Sequence, residues 1–134
     1  MTSVELIRST SLTDTAPYAY ASVIAPGRLV FTAGACPLDD DGAVVSPGDV
    51  AAQARRVMVN LVEALRAGGA ELHDVAKTTV YVASSSRDDL VAAWGEIRDA
   101  FGDHDAPSTL LGVAVLGYPD QLVEVEAVAV AQAG

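Results

Sequence analysis

The sequence has 134 residues, of which 51% are hydrophobic and only 5% aromatic, and its 18 acidic and 8 basic residues give a formal net charge of −10. The length suits one domain with a modest core, which we expect to span residues 1–134, and the acidity disfavours nucleic acid and anionic membranes as partners. The single cysteine, Cys36, excludes a disulfide within the chain, and the sequence has neither a signal-peptide pattern nor an apolar run of roughly 18 residues, so we expect a cytoplasmic protein.

The N-terminal part of the chain predicts short strands joined by turns. Residues 4–8 indicate a first strand and residues 19–24 a second. Pro26-Gly27 has the pattern of a type II turn, because proline fixes φ and glycine accepts a positive φ. Residues 28–33 then predict a strand that pairs with 19–24 as a hairpin and is closed by Gly34.

A capping pattern followed by an apolar stripe predicts the first helix. Ser46 suits the N-cap, Pro47 the first helical position and Asp49 the acid of a capping box. Gly68-Gly69 ends the helix. Apolar side chains recur every three or four residues between these signals, at Val50, Ala54, Val57, Leu61 and Leu65.

The C-terminal half predicts a strand, a second helix and two closing strands. The strand spans residues 76–83, and residues 108–116 form the next one. Between them a helix begins at Ser86, with Asp89 as its paired capping acid, and ends at Gly102. Its apolar stripe consists of Leu90, Trp94, Ile97 and Phe101.

The last predicted strand, residues 123–130, carries two carboxylates on one face. Strand side chains alternate between faces, so Glu124 and Glu126 lie opposite Val123 and Val125. Carboxylates are costly to bury without partners. The pattern is therefore typical either of a solvated sheet surface or of a binding site between subunits.

The order of elements predicts an α+β fold in which a single mixed sheet carries both helices on one face. No nucleotide-binding fingerprint or catalytic triad signature is visible. His73-Asp74 and His104-Asp105 lack the spacing of metal ligands, so we expect no metal site. The lone Cys36 is expected to be a small hydrophobe.

Several segments together resemble the YjgF/RidA family, and the resemblance covers nearly the whole chain. It implies a chorismate-mutase-like fold and a homotrimer whose sheets form a central barrel, with clefts between subunits. It also implies hydrolysis of reactive 2-imino or enamine acids to 2-keto acids and ammonia, without a metal or organic cofactor. The segments that carry the resemblance are Pro17-Tyr18, Phe31-Thr32-Ala33-Gly34, residues 49–54 and 74–82, Pro107-Ser108-Thr109-Leu110 and Val123-Glu124-Val125-Glu126-Ala127.

The resemblance also implies the site residues. Glu124 matches the acid associated with the catalytic water, and Tyr18 matches the site tyrosine. The backbone at Ala33 and Gly34 matches a segment that approaches the ligand. Trp94, on the second predicted helix, stands where the archetype has a polar residue.

Thr109 stands where the family has an arginine that grips the substrate carboxylate. A guanidinium can hold a carboxylate through two charge-assisted hydrogen bonds, whereas a hydroxyl offers one neutral donor. The replacement weakens carboxylate binding by about tenfold to a hundredfold. It therefore argues against 2-imino acid deaminase activity, unless another cation such as Arg28 supplies the charge.

Two functions stay open on these grounds. The first is a deaminase-like hydrolase of a small imine or enamine metabolite, in which Glu124 activates water, Tyr18 orients the substrate and Thr109 donates a hydrogen bond. The alternative is a small-molecule-binding trimer that does no chemistry. RNA cleavage is disfavoured by the acidic composition.

Overall fold

The computed structural model describes residues 3–9 and 11–132. It contains a short 3₁₀ turn at Leu72–Asp74, directly before one of the two central strands of the sheet. The strands and helices, in chain order, are β1 (Val4–Ile7), β2 (Ala21–Ile24), β3 (Leu29–Phe31), α1 (Val50–Ala67), β4 (Val75–Val82), α2 (Arg87–Phe101), β5 (Ser108–Gly112) and β6 (Val123–Val130). This order confirms the predicted α+β class.

Four of the strands form a mixed sheet in the order β3-β6-β4-β5, and β1 and β2 form a separate two-stranded ribbon. Strand β4 pairs antiparallel with β6 and parallel with β5. Both helices pack on one face of the mixed sheet, since one buried cluster joins Leu61 of α1, Ile97 of α2, Val80 of β4 and Val125 of β6. The prediction of two helices on one face of a mixed sheet is confirmed, whereas the prediction that all strands share a single sheet is wrong, because β1 and β2 pair with each other as a separate ribbon.

The opposite face of the mixed sheet is only partly covered. The β1-β2 ribbon packs on one end of it, where Val4 and Val130 are buried together. Farther along, Phe31 is 71% exposed and Leu111 is 42% exposed. Glu124 lies on this open face, because β6 alternates buried and half-buried residues along its length.

The predicted hairpin between residues 19–24 and 28–33 is wrong. Strand β2 pairs with β1, and the short β3 pairs with the C-terminal strand β6. The Pro26-Gly27 turn therefore leads the chain from the ribbon to the sheet. Pairing with β6 lets Val30 pack against the main core, and this tertiary burial outweighs the local turn signal.

The predicted start of α1 and the predicted end of β5 need correction. Helix α1 begins at Val50 instead of Pro47, and its N-cap is Asp49, whose carboxylate accepts from the Ala52 N–H at 3.0 Å. Ser46 instead has a φ of 47° in the preceding turn. Strand β5 ends at Gly112, well before residue 116.

The predicted cap of α2 is formed only in part. Ser86 occupies the N-cap position, but its side chain makes no capping hydrogen bond. Asp89 accepts a hydrogen bond from the Ser84 hydroxyl at 2.6 Å instead. The glycine that ends the helix, Gly102, has a φ of 64°, so the predicted stop signal is confirmed.

Across residues 3–9 and 11–132, no helix is both long and apolar enough to span a bilayer.

Candidate functional site

Glu124 is held on the open face of the sheet by two side-chain donors. Its Oε1 accepts hydrogen bonds from Cys36 Sγ at 3.2 Å and from Gln121 Nε2 at 3.1 Å. The Gln121 amide is buried and also donates to the Val123 carbonyl at 3.1 Å, which fixes its position. Oε2 accepts no hydrogen bond from the residues that the structure describes. The carboxylate thus keeps one oxygen available to bind water or to accept a proton.

Gly34 lies directly against this carboxylate. A Cβ at position 34 would be 2.7 Å from Glu124 Cγ and would overlap the carboxylate itself. The neighbouring Ala35 pairs with Val125 through hydrogen bonds of 2.7 and 3.2 Å, which holds the segment beside β6. The structure therefore brings together Gly34, exposed Ala33 just before it, and Glu124, as three of the predicted site residues.

The thiol of Cys36 is a hydrogen-bond donor in this cluster. Partial burial raises the pKa of Cys36 to about 11, and the hydrogen bond to Glu124 and the charge of that carboxylate add to the effect. The thiol therefore stays protonated at neutral pH. The sequence predicted only a small hydrophobe here, because Glu124 is distant along the chain.

A second group of predicted residues lines a cleft of about 500 Å³ at the β5 edge of the sheet. The loop before β2 is fixed against the link after α2 by a hydrogen bond of 2.8 Å from the Ala19 N–H to the Asp105 carbonyl. This contact holds the neighbouring Tyr18 at the cleft. The cleft is lined by Pro17, Tyr18, Trp94, Ser108, Thr109 and Leu110.

Within one chain the two groups of site residues stay apart. Thr109 pairs with Thr79 of β4, and Glu124 pairs with Tyr81 of the same strand. Thr109 and Glu124 are therefore separated by two strand spacings and two residues, on the order of 12 Å between their Cα atoms. Glu124 does not line the cleft that contains Tyr18.

Lys77 is a cation beside the cleft that the sequence did not single out. Its Nζ donates to Thr109 Oγ1 at 2.8 Å. Among the ion pairs of residues 3–9 and 11–132, none involves Lys77. Only the parallel register of β4 and β5 shows that Lys77 reaches Thr109. The ammonium thus stands next to the position that lacks the arginine.

Glu126 and Arg28 are two further charged residues on or near the sheet. Glu126 Oε1 accepts from the Tyr81 hydroxyl at 2.6 Å, and this hydrogen bond raises the pKa of Tyr81. Arg28, the other candidate source of positive charge, precedes β3 at the opposite edge of the sheet from β5. Within one chain it is therefore far from Thr109.

The part of the chain that the structure describes contains no group of three or more His, Cys, Asp and Glu side chains able to hold a metal ion. His104 Nε2 lies 2.7 Å from the Val75 carbonyl, and His73 is 3.6 Å from Asp74.

Comparison with known proteins connects this arrangement to one family. The Endoribonuclease L-PSP family profile matches residues 11–131. The chain is 32% identical over 126 residues to the 2-iminobutanoate/2-iminopropanoate deaminase of Escherichia coli K12, covering 90% of this chain and 96% of that protein. It is also 32% identical over 111 residues to a RutC family protein of Pyrococcus abyssi, covering 82% and 84% of the two chains.

The fold comparison agrees with the sequence comparison. The crystal structure of a protein of the conserved Rid family from Yersinia pestis, described as of unknown function, superposes with a TM-score of 0.89 at 30% identity. The match covers 96% of this chain and 98% of that one. The chain therefore belongs to the Endoribonuclease L-PSP family, the family of the RidA/YjgF proteins.

Proposed function

We propose that the protein hydrolyses the carbon–nitrogen bond of a small imine or enamine metabolite, with Glu124 as the residue that activates water. One observation carries the proposal. The Glu124 carboxylate is fixed through Oε1 by Cys36 and Gln121, while Oε2 stays available beside the backbone of Gly34. Relatives named 2-iminobutanoate/2-iminopropanoate deaminase support the same chemistry.

In this mechanism Glu124 Oε2 accepts a proton from water as the water oxygen bonds to the imine carbon. The imine reacts in its protonated iminium form, so its nitrogen becomes a neutral amine on a tetrahedral carbon that also carries the new hydroxyl. The protonated carboxyl then returns its proton to that nitrogen, and the carbon–nitrogen bond breaks as ammonia leaves. The hydroxyl proton passes to solvent as the carbonyl forms, which replaces the proton that the imine had taken up. One water is consumed, and one ketone and one ammonia are released. A positioned general base of this kind contributes about 10²–10⁴-fold to rate.

The site requires a second copy of the chain in this proposal. Tyr18 and Thr109 line a cleft at the β5 edge, while Glu124 lies on the open face two strands away. That face exposes Phe31 and Leu111, which is apolar area suited to burial against another subunit. We propose a homotrimer in which the Tyr18 cleft of one subunit meets the Glu124 carboxylate of its neighbour.

The direct test follows the decay of freshly generated 2-iminopropanoate with and without the protein. The account expects faster decay with the wild type and a loss of about 10²-fold or more in Glu124→Gln. Glu126→Gln is the matched control, since it removes a carboxylate from the same face and strand and should keep most of the activity. Decay at the buffer rate with wild-type protein, for this and larger imines, would contradict the proposal.

A small-molecule-binding trimer without chemistry is the second candidate function. It is favoured by the cleft itself, because the walls formed by Tyr18 and Trp94 exist within one chain without the acid. A ligand present at 100 times its dissociation constant would stabilise the protein by about 2.7 kcal/mol in thermal unfolding. Stabilisation by a metabolite that Glu124→Gln binds equally well, with no imine hydrolysed, would favour this function.

A further inference from the structure

We infer that the Tyr18 cleft binds a carboxylate ligand with a bulky apolar substituent, preferably aromatic, and that Lys77 is the cation that receives the carboxylate. Thr109 is the hydroxyl partner of Lys77 at the polar end, and Trp94 forms the apolar end. The inference deepens the proposed function by naming a substrate class, and rests on it for the reaction, whereas the binding itself follows from the cleft.

The polar end of the cleft is at Thr109, and Lys77 is hydrogen-bonded to it from the neighbouring strand. The Lys77 ammonium donates a hydrogen bond to Thr109 Oγ1 at 2.8 Å. Thr109 lines the cleft, whereas Lys77 lines the adjoining smaller cavity on the sheet. An ammonium has three donors, so a hydroxyl contact leaves donors for an anion. In a chain with net charge −10, a lysine that forms none of the ion pairs recorded among residues 3–9 and 11–132 is poised for an external carboxylate.

The nearby acid on the sheet is already engaged. Glu126 shares a second, smaller cavity of about 190 Å³ with Lys77. Its Oε1 accepts the Tyr81 hydroxyl at 2.6 Å, and no ion pair forms between Glu126 and Lys77. The ammonium is directed toward Thr109 instead, on the β5 side of its own strand.

The cleft as a whole is larger than a 2-oxo acid with a two- or three-carbon side chain needs. The volume of the whole cleft is about 500 Å³, which is in the range of pockets that enclose drug-sized ligands. The Trp94 indole, the Tyr18 ring and Leu110 form its walls. Aromatic walls of this kind favour an aromatic guest through stacked or edge-to-face contact.

The test measures binding of unreactive 2-oxo acids by calorimetry, so that it does not depend on hydrolysis. The probes are 2-oxobutanoate, 2-oxo-3-phenylpropanoate and the neutral ketone 1-phenylpropan-2-one. The inference expects the aromatic acid to bind at least about tenfold more tightly than either of the others. The reason is that 2-oxobutanoate lacks the aromatic ring and 1-phenylpropan-2-one lacks the carboxylate. A neutral ketone that binds as tightly as the aromatic acid would overturn it.

Four variants separate the two ends of the cleft. Lys77→Met should weaken both acids by about tenfold to a hundredfold, the effect of losing a charged hydrogen bond, while Lys77→Arg keeps most of the affinity. Trp94→Asn should remove the preference for the aromatic acid and leave 2-oxobutanoate binding nearly unchanged. Arg28→Met is the matched control, because it removes one positive charge at the opposite edge of the sheet and should change nothing.

The outcomes also distinguish this inference from the proposed function. Equal affinity of wild type and Lys77→Met for both acids, or loss of binding in Arg28→Met alone, would overturn the role of Lys77. Tight, Lys77-dependent binding of the aromatic acid without any imine hydrolysis would instead contradict the proposed function and leave the ligand class standing.

Discussion

At the scale of single residues, the site depends on how little space surrounds Glu124. Cys36 and Gln121 hold one carboxylate oxygen, and the backbone of Gly34 lies against the other. Neither donor could be found from sequence, because Cys36 is 88 residues from Glu124 along the chain. Gln121 is three residues away, but a strand would place it on the opposite face, and only the turn before β6 directs it to the carboxylate.

Substituting Gly34 tests this close approach. Gly34→Ala should lower the free energy of unfolding by about 1–3 kcal/mol, because the added methyl displaces the Glu124 carboxylate, and it should reduce imine hydrolysis. Chemical denaturation and the imine assay measure the two effects. Gly95→Ala is the control, since Gly95 lies within α2 with nothing within 4 Å of an added Cβ and alanine should stabilise the helix by about 0.5–1 kcal/mol. A Gly34→Ala protein as stable and active as wild type would refute the contact.

The reactivity of Cys36 tests the Glu124 hydrogen bond in a different way. With a pKa of about 11, the thiol is almost entirely protonated at pH 8, and only the thiolate is alkylated. Alkylation by iodoacetamide should therefore be slow and still rise with pH above 9. Glu124→Gln removes the negative charge and should speed alkylation at pH 8 by about tenfold, whereas Glu126→Gln should not. Equal rates in the two variants would contradict the assigned donor.

At the scale of elements, local signals located the helices well but not their first residues. The stripe of α1 is buried as predicted, with Ala54, Val57 and Leu61 fully inaccessible. The predicted start of α1 was wrong because Ser46 and Asp49 both suit an N-cap. The structure shows that Asp49 has the extended backbone of an N-cap, whereas Ser46 has a positive φ in the preceding turn. The buried Gln53 links this first turn to the chain before β6 by bonding the Asp120 carbonyl and the Leu122 N–H at 2.9 and 2.8 Å.

Cap substitutions distinguish the observed start of α1 from the predicted one. Asp49→Ala should destabilise the protein by about 0.5–2 kcal/mol, because the Ala52 N–H loses its acceptor. Ser46→Ala should change the free energy of unfolding by less than about 0.5 kcal/mol. Urea denaturation of both variants measures the difference, and a larger loss in Ser46→Ala would favour the earlier start.

Strand pairing was the feature that sequence predicted least well. The Pro26-Gly27 turn suggested a local hairpin, but β3 joins β6 about a hundred residues later in the chain, as in the pair Leu29 and Val130. The types of the residues in a strand do not indicate which distant strand it pairs with or in which register. For the same reason the contact between Lys77 and Thr109 could not be predicted from the sequence, because it depends on the parallel pairing of β4 with β5.

At the scale of the whole molecule, the described chain presents its candidate site residues in two groups that are separated by two strands. Tyr18, Trp94 and Thr109 line the cleft at the β5 edge, and Glu124 and Gly34 lie on the open face of the sheet. The resemblance predicted a site between subunits, and the proposed homotrimer keeps that prediction by pairing the two groups across a subunit contact. A cyclic assembly uses the same pair of surfaces at every contact, so three copies would form three equivalent sites.

Hybrid assemblies test most directly whether the site is shared between subunits. Tyr18→Ala and Glu124→Gln should each be inactive alone, because each disables every site of its own homotrimer. After the two variants are unfolded together and refolded at equal amounts, about a quarter of the contacts in a random cyclic trimer should pair an intact Tyr18 cleft with an intact Glu124. We therefore predict that imine hydrolysis returns to about a quarter of the wild-type rate. A mixture no more active than the separate variants would contradict the account.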